Sequence, residues 1–211
     1  KLLRAGLEDA TASVTDTPLA AIALRARQDA RDQKGRSGGV ALLESRSMGK
    51  ALSKTGFLAL RGSEFSDEQL RDGVVVLHFW EYQDKPLREP YGQVGYLDFL
   101  YRKYSSKGLK VFGVVADAKL EDETLRQRTI QSARKFVSFM NISYPMLVDG
   151  ESYLRKVLGD PRAAGARLPL FLVLDKQGKV VHYHVGFYEV DRERGLKKLD
   201  VEVSKALGID E

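Results

Sequence analysis

The residues best placed to do chemistry lie in and just after one apolar run, VVVLHFWEYQDKPLREP, which spans residues 74–90. Asp84 sits just ahead of Lys85-Pro86, a good start for a helix. A carboxylate there accepts from orphan backbone amides, and the helix dipole lowers its pKa, which makes it a strong N-cap and a poor general base. His78 lies inside the apolar run, four residues before Tyr82. Near Asp84 or Glu81 it could act as a base or proton relay, while a core histidine bonded to backbone is the plainer reading. His182-x-His184 puts two imidazoles on one face of a strand, because strand side chains alternate. Two ligands seldom make a metal site, so neither a metal nor any other cofactor is expected, with His182 and His184 the weak alternative. The chain contains no cysteine. Disulfide exchange and peroxide reduction both need a thiolate, so both are excluded for these residues.

Elements of ordinary type must carry these groups. Val74 to Phe79 reads as a central strand covered on both faces. Val94, Leu97, Tyr101 and Tyr104 recur at helical spacing up to Gly108, and Leu109 to Ala116 reads as a second, parallel strand. A helix is expected from Glu121 to Met140 with Ile130, Phe136, Val137 and Met140 inward, then a short strand ending near Val148 and a short helix from Glu151 to Leu158. Leu170 to Leu174 and Lys179 to Val185 read as a hairpin about Asp175-Lys176-Gln177-Gly178, and a helix is expected from Asp191 to Leu207. Phe57 to Leu60 suggests a short strand, and Ser66 a cap for a short helix through Leu70.

Residues 1–47 have a different character. Residues 1–10 and 18–32 read as helical, with Thr17 and Pro18 at a helix start. Gln33 to Gly39 reads as a flexible break, and Val40 to Leu43 as an apolar stretch able to dock. The expected division is a helical extension and linker, 1–47, followed by one domain, 48–211. Net charge is +5, and ten Lys/Arg against six Asp/Glu in residues 1–54 account for most of it. Acids interleave with these bases and no aromatic precedes Phe57, so a nucleic-acid surface is not expected. No apolar run approaches membrane-spanning length. The chain begins at Lys1 without an apolar leader, as expected of a mature or trimmed form.

Several separated segments carry a resemblance. Phe79-Trp80 ends the strand; Leu60-x-Gly62 with Phe65-Ser66 and Leu70 precedes it. Tyr101 through Val114, Tyr144-Pro145-Met146-Leu147-Val148-Asp149, and Leu168-Pro169 before Leu170 to Asp175 come after it in order. Together these resemble the thioredoxin-like superfamily, closest to its TlpA-like and AhpC/TSA (redoxin) branch. The resemblance implies an α/β, thioredoxin-like fold, a mixed central sheet flanked by helices, here with a helical N-terminal extension. It places Asp84 and Leu87 where the branch carries Cys-x-x-Cys; anchoring on Tyr101 instead moves those positions to Leu87 and Pro90. It makes Pro169 the cis-proline facing the site, and it frames a peptide groove from Glu81, Tyr82, Asp84, Lys85, Leu168 and Pro169. With no cysteine present, it implies a module without thiol chemistry that binds a protein or peptide partner or serves as a domain of a larger assembly, in an extracytoplasmic, periplasmic setting, with Pro169→Arg expected to abolish capture while leaving the fold intact. The alternative is an enzyme of changed mechanism using His78 and Asp84. Residues 1–46 are a further candidate for homodimerisation.

Overall fold

The computed structural model describes residues 20–81 and 93–209, with the side chains of 20–32 and 34 outside the description. Among these, α1 is Ala20–Ser47, β1 Phe57–Ala59, β2 Val74–Trp80, α2 Val94–Tyr104, β3 Leu109–Val115, α3 Glu123–Phe139, β4 Met146–Asp149, β5 Leu170–Leu174, β6 Val180–Val185, β7 Val190–Asp191, β8 Gly195–Leu196 and α4 Lys197–Leu207. Six strands form one mixed sheet in the order β1-β4-β3-β2-β5-β6. β2, β3 and β4 run parallel, and β1, β5 and β6 pair antiparallel with their neighbours. The βαβ unit followed by a hairpin and a closing helix is the expected thioredoxin-like layout.

Alternation along β2 explains why its whole length is apolar. Val74, Val76 and Trp80 enter one cluster with Leu97 and Leu100 of α2, Phe136 of α3, and Leu199 and Val203 of α4. Val75, Leu77 and Phe79 enter the other, with Phe57, Tyr153, Leu154 and Leu158. Both faces are therefore covered, and no residue of β2 is exposed. The 3-10 turn Asp67–Leu70 starts at Ser66, whose hydroxyl accepts from the Glu68 amide while Gln69 reaches back to the Ser66 amide. Of the residues expected inward on α3, Phe136 and Val137 are buried, whereas Ile130 and Met140 are half-buried.

Two expectations are corrected. Gln33 to Gly39 is no break: α1 runs through it. Gly39 serves packing, since a Cβ there would lie 2.7 Å from the Ala164 Cβ, so only a residue without one lets the helix approach the 3-10 turn Pro161–Ala164. Val40 and Leu43 then pack on the second cluster, as their apolarity suggests. Residues 191–196 are likewise not helical; β7 and β8 form a small hairpin, and α4 begins at Lys197. The expected helix at residues 1–10, the Thr17-Pro18 start and much of the dimerisation segment lie outside the described residues.

Gly159 offers a test of how α1 is held. Its backbone (φ 87, ψ 120) is one that side chains rarely adopt, and a Cβ there would collide with Leu43. Gly159→Ala is expected to cost about 1–3 kcal/mol in urea denaturation; an unchanged midpoint would show that Leu43 is not seated there.

Candidate functional site

The chemistry-bearing edge of the sheet is where β2 ends and β5 begins. Phe79 pairs with Leu170 in the antiparallel register, and continuing that register sets Glu81 beside Leu168. The Leu168–Pro169 peptide bond is cis. The Gly186 amide donates to the Pro169 carbonyl at 2.8 Å, so the segment after β6 closes against the same loop. Phe187, next in the chain, keeps 55% of its surface exposed.

One arginine organises the polar side of this edge. Asp160 caps the turn Pro161–Ala164, with Pro161 at its first position, and the turn presents Arg162. The Arg162 guanidinium donates through Nε to both Asp160 oxygens at 3.0 Å and through Nη2 to Oδ2 at 2.7 Å, while Nη1 reaches Glu81 Oε2 at 2.8 Å. Burial opposes the charge, but the carboxylates of Asp160 and Glu81 outweigh it and hold the guanidinium above its ordinary range. A half-buried fork of this kind fixes geometry more than it adds stability.

The expected groove residues are therefore only partly accessible. Glu81 is at the edge with its side chain 31% exposed. Leu168 and Pro169 are there too, but both are buried. Pro169→Arg would force a cation into a closed position, so the expectation that this variant leaves folding intact is withdrawn. Tyr82, Asp84, Lys85 and Leu87 lie outside the described residues, as does Pro90. Arg162, Gly186 and Phe187 were not anticipated; the aromatic pair Phe187-Tyr188 directly after a glycine was the available signal.

His78 stands one layer below the edge. Its strand neighbours are Gly113 on β3 and Phe171 on β5, and these pair in turn with Met146 and His184. Paired residues share a face, so Met146, Gly113, His78, Phe171 and His184 form one row across the sheet. A Cβ on Gly113 would collide with Met146 Sδ, which is why the centre of β3 carries glycine. His78 is fully buried, and its ring stacks on Phe171 at 4.7 Å and 25°.

His182 and His184 share the face the alternation predicts, with ring centroids 6.4 Å apart. Neither belongs to a metal-capable group, since among the described residues no three His, Cys, Asp or Glu converge. Tyr188 joins them instead: its ring stacks on His184 at 4.0 Å and its hydroxyl lies 2.7 Å from His182 Nε2. Burial lowers the pKa of both imidazoles. Gln93, buried and in the left-handed region (φ 65), grips the Tyr188 backbone twice. Its Nε2 donates to the Tyr188 carbonyl at 2.8 Å, and its Oε1 accepts from the Tyr188 amide at 2.9 Å.

Fold and site together define a thioredoxin-like protein, and the comparisons are more specific. The Redoxin family model matches residues 38–199, and the chain belongs to that family. It is 27% identical over 141 residues to the thiol-disulfide oxidoreductase ResA of Bacillus thuringiensis (strain Al Hakam), covering 66% of this chain and 71% of that protein. A Chlorobium tepidum structure described as a thiol:disulfide interchange protein DsbE is 26% identical with TM-score 0.51, over 76% of this chain and 98% of the other. A thiol-disulfide isomerase structure from Corynebacterium glutamicum shares the fold at 17% identity and TM-score 0.55, over 75% and 96% of the two chains. This redoxin contains no cysteine.

Proposed function

We propose that this redoxin is a binding module that takes a protein or peptide partner at the edge formed by Glu81, Arg162, the Leu168–Pro169 loop and Phe187, without thiol chemistry. The carrying observation is a redoxin scaffold, cis-proline loop included, in a chain that has no sulfur nucleophile. A loop edge of this kind holds an extended segment by backbone pairing, which does not depend on cysteine. Phe187, exposed directly after the Gly186 amide that closes on Pro169, supplies the apolar contact in this reading, and the Arg162–Glu81 pair the orientation. The full burial of His78 against Phe171 favours a core role for it over acid/base catalysis. The relatives named as thiol-disulfide oxidoreductase and interchange proteins suggest an extracytoplasmic setting, which forms part of this proposal.

Affinity capture from extract of the source cells tests the reading, with wild type compared against Phe187→Asp. Because Phe187 is exposed, the variant should fold normally, which circular dichroism checks. A protein retained by wild type and lost by the variant is the expected result. Identical captured sets would overturn the assignment of this edge.

A further inference from the structure

None of the three histidines belongs to the proposed binding edge, yet His182 and His184 are tied to it by Tyr188. The order of contacts is short. His182 meets the Tyr188 hydroxyl, Tyr188 packs on His184 and edge-on against Phe171 at 4.9 Å, and the Tyr188 backbone is gripped by Gln93 at the entry to α2. The residues joined are 95 apart in sequence, so these bonds fasten the segment after β6 to the start of α2.

We infer that His182 and Tyr188 form a pH-sensitive latch, in which a proton on His182 releases residues 186–189 and with them the Gln93 grip on α2. Burial pushes the Tyr188 hydroxyl well above its ordinary range, so it stays protonated; the latch takes neutral His182 as the tautomer with its hydrogen on Nδ1, whose Nε2 accepts from that hydroxyl at 2.7 Å. A protonated His182 turns that nitrogen into a donor, so the hydroxyl keeps the contact only by turning its own hydrogen away and accepting instead. That hydrogen loses its acceptor inside a largely closed site, where an unmade bond is costly. The charged and titratable groups bearing on His182 are Glu202 and Lys198 of α4 and Glu44 of α1, with His184 beside it on β6. Burial, the largest influence, and Lys198 oppose the imidazolium, whereas the two glutamates favour it, and the balance lowers the pKa from its ordinary value. The direction fixes the sign. The latch is at full strength above the released-state pKa of about 6.5 and weakens as pH falls through the lower, latched value. The limiting change is about tenfold in the latched-to-released ratio for each pKa unit separating the two states.

Hydrogen exchange at about pH 7.5 and about pH 5, corrected for intrinsic rates, reads this directly in residues 93–97 and 186–196. Wild type should exchange faster in both segments at the lower pH, while the rest of the sheet does not. His182→Gln, which can still accept from the hydroxyl but cannot titrate, should abolish the pH response. Tyr188→Phe should exchange fast at both pH values. A response that persists in His182→Gln or Tyr188→Phe, or none in wild type, overturns the latch. Should either variant fold poorly, the wild type suffices, since the chain has three imidazoles to assign by NMR. The Gln93 side-chain amide signals must then shift with the His182 titration; signals that stay fixed through it overturn the inference.

Discussion

Cysteines at positions 84 and 87 are expected to raise dithiothreitol-driven insulin reduction from the no-protein background to at least about tenfold above it. Among the described residues, β2 ending at Trp80, the cis Leu168–Pro169 bond and the α2 start fixed by Gln93 are in place. What the chain lacks is the nucleophile. The resemblance places Asp84 and Leu87 where the branch carries its thiol pair, so Asp84→Cys with Leu87→Cys supplies the missing group. Leu87→Cys with Pro90→Cys should remain at background. Activity in the second pair and none in the first would assign the motif to 87 and 90 instead. Background activity in both would mean that this edge departs from a redoxin site in more than its sulfur.

Phe171→Ala should cost about 3–5 kcal/mol of stability, read as a shift in urea midpoint at unchanged slope. Phe171 is fully buried at the centre of β5, stacked on His78 and edge-on to Tyr188, so its removal opens a cavity between two rings. The surrounding strands are paired on both sides and cannot collapse into that space. Phe139, 76% exposed at the end of α3, provides the control, with Phe139→Ala expected to change stability by less than about 0.5 kcal/mol. Comparable losses from the two variants would contradict the packing described for the central row.

The sheet was legible because its signals are local. Val74 to Phe79, Leu109 to Ala116 and Leu170 to Leu174 are apolar runs bounded by turn residues, and all three are central strands. The parts misread are those decided by distant partners. Gly35, Gly38 and Gly39 look like a break until Ala164 is seen against Gly39, where a side chain would not fit. Asp191 to Leu196 shares the polarity of the helix beginning at Lys197, but Gly195 has a positive φ and lies against Phe99, and the chain turns back as a hairpin. The site was legible in part. Glu81, Leu168 and Pro169 emerge from the strand pattern and the resemblance, whereas Arg162 reaches Glu81 from 81 residues away and no local spacing announces it. His182-x-His184 shows its shared face in the sequence, but Tyr188, which packs against the pair, is recognisable only from the contacts.

The central claim is a redoxin scaffold working without thiol chemistry, and turnover of a disulfide substrate by the unmodified chain tests it most directly. Insulin reduction in the presence of dithiothreitol, measured over a range of protein concentrations, should give a rate equal to the control without protein at every concentration. A rate above the control that rises in proportion to the chain would contradict the account.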